Sequence, residues 1–350
     1  MDKKSQRSLP FDSLEKILQG LQTSYGEPVY SYDNSSNTSR LIGIDRPGAP
    51  ITLEPAAQLE ISIGPVHEVH EFRPAYEKFI SLLSPILEEM DATLLCLGYH
   101  PRSKVDELPI IPKQRYAFMD KHFKTTGSRG KNMMKGSAAT QVSIDYESEV
   151  DFTKKFRLAN ILGPLFALAC DNTAIFEGEP FLRMARTYIW NDVDPARSMV
   201  VQGSLDAGGS FGFLAYAEYV YDTPPIIVME GEECRYTGHK PASELFTARA
   251  ITTQEIEHIL GMVFPDVRLK TQIEIRVADS LPFERALSYT KMLKDIFYDS
   301  KKLECLYEKT LWIKNSDVTA AKEALIAGGA EAEVYGRRAA DWLEEIGGPI

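Results

Sequence analysis

Glu54 and Glu60 stand six positions apart in "ITLEPAAQLEIS", residues 51–62. Even spacing in an extended chain puts both on one side, with Thr52, Gln58 and Ser62. Ile51, Leu53, Pro55, Ala57, Leu59 and Ile61 take the other. The alternation recurs in "TQVSIDY", where Gln141, Ser143 and Asp145 oppose Val142, Ile144 and Tyr146. It recurs again in "KTQIEIRV", where Gln272, Glu274 and Arg276 oppose Ile273, Ile275 and Val277. Carboxylates gathered with few local cations repel one another, and hard cations such as Mg²⁺ neutralise them through oxygen ligands. Arg276 beside Glu274 adds a planar fork suited to phosphate. At roughly 3.3 Å per residue, Glu54 and Glu60 lie about 20 Å apart in a straight strand. They cannot share one ion unless the strand bends, for example at Pro55. Two or more ions, or one ion and one substrate contact, fit better; an ordinary sheet with a solvated outer face is the competing reading.

Further cations surround the same phosphate-sized question. "PIIPKQRYAFMDKHF" sets Lys113 and Arg115 at a turn into a helix. "GSRGKNMMKGS" reads as a glycine-flanked basic loop with Arg129, Lys131 and Lys135, of a kind that can wrap a triphosphate. It matches neither GxxxxGK[ST] nor GxGxxG. "RMARTYIW" carries Arg183 and Arg186 before Trp190; Arg186 suits a bidentate clamp on a substrate carboxylate, or an ion pair with a neighbouring acid. His67 and His70 have no acidic partner at a useful spacing and read as surface residues. Ser137 and Ser143 lack a nucleophile-elbow context, which argues against an acyl-enzyme hydrolase.

The elements that must position these residues follow from periodicity. "DSLEKILQGLQTSYG" predicts a first helix with Asp12 as N-cap and Leu14, Ile17, Leu18 and Leu21 on one stripe. A turn at "SYDNSSNTS" leads to a strand at 41–44, which pairs as a hairpin with 51–62 across "DRPGAP". "RPAYEKFISLLSPILEEM" reads as a helix with Pro74 in its first turn. "ATLLCLGYHP" and "AATQVSIDYES" read as strands, and "EVDFTKKFRLANILGPLFALAC" as a long buried helix containing Pro164. "DVRLKTQIEIRVADS" alternates as a strand, and "SDVTAAKEALIAGG" and "AEAEVYGRRAADWLEEIGG" read as helices with glycine stops. Strands and helices do not alternate regularly, so the expected class is α+β: antiparallel strands, apolar on one face and polar on the other, with helices behind.

Bulk properties exclude several classes. The chain has 350 residues, 44% of them hydrophobic, and a formal charge of −11, which argues against broad capture of nucleic acid or an anionic membrane. Cys96, Cys170, Cys234 and Cys305 show no CxxC or zinc spacing and read as reduced thiols. The basic start lacks an apolar stretch behind it, and the most apolar run, "ILGPLFALAC", is too short for a bilayer, so a soluble cytoplasmic protein is expected.

Five blocks, "TLEPAAQLEISIGP", "LGYHPRSKVDELPIIPKQRYAFMDKHF", "AATQVSIDYESEVDFTKKFRLANILGPLFAL", "RTYIWNDVDPAR" and "VRLKTQIEIRVADSLP", resemble in order and spacing the plant and proteobacterial type of glutamate–cysteine ligase. That type belongs to the glutamine synthetase-like carboxylate–amine ligase superfamily, and the resemblance covers roughly residues 12–300. It implies a curved antiparallel sheet forming a funnel-like active site with helices outside, in one catalytic domain over 1–350 with a C-terminal helical segment at 316–347. It implies ATP and Mg²⁺, glutamate and cysteine as substrates, a γ-glutamyl phosphate intermediate, and a monomer or homodimer. Carried over by block, Glu54, Glu60 and Glu274 are expected at the metal, Arg276, Lys113 and Arg115 in catalysis, Arg186, Gln141 and Gln58 on substrate, and Arg276, Lys113 and Lys131 on nucleotide.

Three departures accompany the resemblance. Family members usually place a GxExE-type strand before the first helix, whereas "MDKKSQRSLPFDSLEKIL" enters the helix almost at once. The "EPGGQ" of many relatives is "EPAAQ" here, with the Ala56 and Ala57 methyls where a ligand or backbone can pass closely. The cysteine spacing gives no support for a regulatory disulfide like that of the plant enzymes. The alternatives are a related ligase using another amine and a shortened non-catalytic relative that binds glutamate or nucleotide.

Overall fold

A computed structural model describes residues 1–33, 37–206, 211–231, 233–247 and 250–348. Part of the expected turn "SYDNSSNTS", residues 34–36, lies outside them. Helix α1, Phe11–Tyr25, buries the expected stripe of Leu14, Ile17, Leu18 and Leu21. Its start differs from expectation. Pro10 occupies the cap position with no side-chain cap, and Asp12 pairs with Arg40 at 2.5 Å, alongside Glu15 at 2.8 Å.

Four antiparallel strands follow in sequence order: β1 Glu27–Asp33, β2 Thr38–Asp45, β3 Ile51–Leu53 and β4 Leu59–Ile61. The expected hairpin of β2 with β3 is present, Gly43 opposite Thr52 and Ile44 opposite Ile51. The single strand expected over 51–62 is not. The chain reverses on itself, so that Thr52 faces Glu60 and Leu53 faces Leu59. Pro55 has no N–H to offer a ladder, and Ala57 takes a left-handed conformation, φ 66°. The reversal is closed by Glu54 N–H on the Gln58 carbonyl (2.9 Å) and Ala57 N–H on the Glu54 carbonyl (2.8 Å). The Gln58 side chain accepts the Ala56 N–H at 2.8 Å.

Helix α2, Phe72–Glu89, has Pro74 in its first turn, as expected, and buries Phe79 and Leu83. The segment "ATLLCLGYHP" is no strand; it carries only the isolated bridges Asp2–Ala92 and Tyr99–Ser137. Gly98 is required there by close approach, since a Cβ would lie 2.1 Å from the Asp279 carboxyl carbon. Helix α3, Gln114–Phe123, begins directly after Lys113. The expected basic loop is helical instead, forming α4, Gly130–Gly136.

Strand β5, Ala139–Ile144, lies at one edge of a second sheet. The alternating stretch expected as one strand is a hairpin, β6 Val267–Leu269 and β7 Ile273–Asp279, giving the order β6-β7-β5. Behind it, helix α5, Glu149–Ala169, is capped by Ser148 and continues through Pro164, with fifteen of its residues buried. Among the described residues the strands form separate small antiparallel sheets within the expected α+β fold. The short strands explain this, because each β3–β4 partner offers only three residues for pairing.

Helix α6, Ala185–Trp190, precedes the β6–β7 hairpin. The C-terminal part contains α7 Phe283–Phe297, α8 Ser300–Lys309, α9 Asn315–Gly328 and α10 Ala339–Ile346. The second helix expected there is preceded by a short hairpin, Glu333–Val334 with Arg337–Arg338, because Tyr335 (φ 52°) and Gly336 (φ 72°) both adopt the left-handed conformation of a two-residue turn. Buried Arg157 of α5 donates to the carbonyls of Thr310, Leu311 and Ile313, fixing the link between α8 and α9.

The apolar side chains form two clusters. One joins α1, β2, β3, α2 and α3; the other surrounds α5 with β5 to β7 and α7 to α10. All four cysteines are free. Among the described residues no helix is long and apolar enough to cross a membrane.

The β3–β4 reversal depends on a small residue at position 57. A β-branched side chain at positive φ is strongly disfavoured, so Ala57→Val is expected to destabilise the fold by about 2 kcal/mol. The shift in denaturation midpoint measures it.

Candidate functional site

The reversal at 54–57 brings Glu54 and Glu60, placed far apart by a straight strand, into one electrostatic neighbourhood. Glu60 stands on β4 with its side chain exposed. Protein atoms crowded around its carboxyl thin its hydration and raise its pKa, repulsion from Glu54 adds to this, and Glu274 contributes in the same sense; a hydrogen bond from Ser62 and the charge of Arg276 oppose it. Lys113, at the start of α3, donates to the Leu53 carbonyl at 2.9 Å. Burial lowers its ammonium pKa, while Glu54 and Glu60 pull it back up. Arg115 is exposed and stacks its guanidinium 5.5 Å from the Tyr116 ring centre.

Glu274 approaches from the other sheet. Across the β6–β7 hairpin it faces Arg268, whose guanidinium contacts one carboxylate oxygen at 2.6 and 2.7 Å. Arg276 contacts the same oxygen at 3.1 Å, and Lys270 stands 3.9 Å from the other oxygen. Burial opposes the charge on Glu274, but Arg276, Arg268 and Lys270 outweigh it and hold the carboxyl down to about 2. Burial lowers Arg268 to about 10, and it remains a cation at neutral pH. It also donates to the carbonyls of Gly261 and Val263. Arg276 reaches the Gln141 side-chain oxygen at 3.2 Å and lies 6.0 Å from the centre of the Trp190 ring.

The remaining expected residues divide. Gln141 faces outward beside Arg276. Gln58 spends its amide within the fold, closing the turn and donating to the carbonyls of Met134 and Ser137. Arg186 is buried, with Nε 3.7 Å from Asp279 and a terminal nitrogen donating to the Arg276 carbonyl at 3.1 Å. Burial lowers its pKa to about 10. Arg186 shares a cavity of about 20 Å³ with Arg276, Trp190 and Lys322. Lys131 belongs to another neighbourhood, pairing with Asp106 at 2.9 Å on α4. Arg129 stacks on Tyr188 and Lys135 donates to the carbonyls of Val105 and Leu108, so this basic stretch is tied up locally.

Among the described residues no group of three or more His, Cys, Asp or Glu converges as a metal cage. Glu274 is already held by arginines, and Glu54 lies near enough to Glu60 to act on its charge. Such a pair fits a Mg²⁺ ion whose other ligands come from water and substrate phosphate, the usual manner of binding that ion. Arg268 goes unseen in the sequence when "DVRLKTQIEIRVADS" is taken as one strand. Reading "LKTQ" as a turn would have placed Arg268 opposite Glu274.

Glutamate–cysteine ligase family 2 matches residues 5–346. The chain belongs to that family. Its relatives include glutamate–cysteine ligase B, chloroplastic, of Oryza sativa subsp. japonica, 29% identical over 316 residues that make up 87% of this chain and 62% of the relative. The chloroplastic glutamate–cysteine ligase of Nicotiana tabacum is 28% identical over 91% of this chain and 60% of its own length. That of Arabidopsis thaliana is 28% identical over 87% and 58%. The chain thus spans about six tenths of the length of the curated relatives it matches.

Removing the Glu54 charge deletes repulsion on Glu60 and attraction on Lys113. In Glu54→Gln both pKa values are expected to fall, Glu60 toward the ordinary carboxylate range and Lys113 farther from its own. Side-chain NMR titration reads both, and an unmoved Glu60 would refute the proximity.

Proposed function

We propose that this chain ligates the γ-carboxylate of glutamate to an amine at the expense of ATP, with cysteine as the amine and γ-glutamyl phosphate as the intermediate. The family supports the chemistry, and the names of the relatives support the choice of glutamate and cysteine. One structural observation carries it. Glu54, in the β3–β4 turn, and Glu60, on β4, lie near enough to Lys113 and to the Glu274–Arg276 pair of the other sheet for the charges to act on one another. This is an arrangement suited to phosphate.

In the first step a γ-carboxylate oxygen of glutamate attacks the γ-phosphorus of ATP, and ADP departs. Charge grows on the equatorial oxygens, where a preorganised guanidinium and ammonium act most strongly. Arg276 is the group held for this, oriented by Glu274 on one side and the Trp190 ring on another. Lys113 supplies the second positive charge, its position set by the Leu53 carbonyl. Glu54 and Glu60 would hold Mg²⁺, which supplies charge neutralisation for the phosphates when bound. In the second step the cysteine nitrogen attacks the acyl carbon, phosphate leaves with the bonding pair, and the amine proton passes to water or a nearby base.

The reading assigns roles differently from those carried over by resemblance. Glu274 orients Arg268 and Arg276 in place of holding metal, and Lys131 is left out of nucleotide binding. Arg186 acts from beneath Arg276, through the carbonyl bond described above. The cytoplasmic location expected from the sequence remains part of the proposal, set against relatives named as chloroplastic.

Phosphate release from Mg-ATP with glutamate, with and without cysteine, tests it. Release is expected to require both amino acids, and Arg276→Ala to cut kcat by about 10²- to 10³-fold. Release with glutamate alone would point to another amine acceptor, and no release under any pairing would sink the ligase reading.

A further inference from the structure

Arg276 sits in an irregularity of its strand. Ile275 pairs with Val142 and Ala278 with Thr140, so Arg276 and Val277 of β7 together oppose the single residue Gln141 of β5. This is a β-bulge, which locally abandons the ladder and re-aims a side chain. The backbone of Arg276 is fixed elsewhere. Its N–H donates to the Asp266 carbonyl at 2.9 Å, and its own carbonyl accepts from Arg186 at 3.1 Å.

Asp266 lies at the bend just before β6, where its carbonyl extends the β6–β7 pairing by one bond while its side chain is held from elsewhere. Its carboxylate is gripped by Lys322 of helix α9, with Nζ 2.5 Å from Oδ2 and the lysine side chain only 6% exposed. Helix α9 is anchored in turn by Arg183, which donates to the carbonyls of Ile326 and Ala327 in its last turn. Lys322 and Asp266 line the same small cavity as Arg186, Trp190 and Arg276. A buried ammonium holds its partner carboxylate firmly because both would otherwise stand desolvated and alone.

We propose that Lys322 is a positioning residue for Arg276, transmitting the placement of the C-terminal helix through Asp266 to the bulge that aims the guanidinium. The inference rests on the role given to Arg276 above. Lys322 touches no reacting group. A misplacement of about 1 Å at a transition-state contact can cost 10²-fold in rate, so the leverage of such a residue is large.

The test compares wild type, Lys322→Met and Lys322→Arg in the full chain. In Lys322→Met, kcat for ligation is expected to fall by about 10- to 100-fold with KM for glutamate within about threefold, the signature of an interaction lost in the transition state. Lys322→Arg is expected to restore most of the rate. Exchange of the Arg276 backbone amide, followed by NMR, is expected to quicken by about tenfold in Lys322→Met, in keeping with local opening. If Lys322→Met does not fold, Asp266→Asn keeps the backbone carbonyl while removing the charge Lys322 grips, and gives the same readouts. Unchanged kcat and unchanged amide exchange would overturn the proposal, as would equal losses in the Met and Arg variants. A wild type without turnover would overturn the ligase reading, while the amide-exchange comparison would still decide whether Lys322 positions Arg276.

Discussion

The repulsion between Glu54 and Glu60 is the constraint to which the rest of the cleft answers. The reversal brings Glu54, in its turn, near enough to Glu60, on β4, for each to act on the other's charge, although the Glu60 side chain itself is exposed. Every neighbouring cation is placed in relation to that cost. Lys113 stands at the first turn of α3 because the Leu53 carbonyl of the same hairpin receives its ammonium. Arg276 reaches the cleft from the other sheet, already partnered by Glu274. An ion pair of modest net stability, retained next to unbalanced acids, fits a site in which charge is stored for a ligand better than one built only to hold the fold together.

The second sheet solves a different problem. Glu274 accepts from two arginines at once, one from its own strand and one from the strand beside it. Arg268 and Arg276 repel each other, and the shared carboxylate keeps both in place. Arg268 faces the interior and spends its remaining donors on backbone carbonyls. Arg276 is left with one side toward the cleft. The division of labour follows from burial, since the deeper guanidinium needs partners and the outer one can offer its donors to something else.

Period-2 patterning revealed the polar faces, the helices and the stretches that matter, because side-chain alternation is a local property of extended chain. It did not reveal where that chain turns. Pro55 and Ala57 break one strand and Lys270 to Gln272 break another, and neither site carries the Asn-Gly or Asp-Gly signal that marks a tight hairpin. The consequence is large for Glu54 and Glu60, which a straight strand holds too far apart for a common ion and which a bend at Pro55 brings nearer. The C-terminal residues were legible as helices but silent as to role, since the pairing of Lys322 with Asp266 spans the fold and leaves no trace in spacing. Basic residues flanked by glycine in α4 misled in the opposite direction: their charges have partners nearby, and glycine serves there to let the chain pass close to Phe123 and Asp192.

The two apolar clusters have a bearing on how this protein tolerates change. Glu60 stands on the sheet beside one cluster and Arg276 on the sheet packed in the other, and the Trp190 ring, which packs against the first, lies 6.0 Å from the Arg276 guanidinium. The distance between Glu60 and Arg276 is thus set by how two packed bodies seat against each other, like the gap of a vice whose jaws are cut from separate blocks. A volume change deep in either block, far from any charged residue, would alter that gap. Sequence drift in the interior is therefore a route by which relatives can retune the width of the cleft while every polar residue in it stays the same.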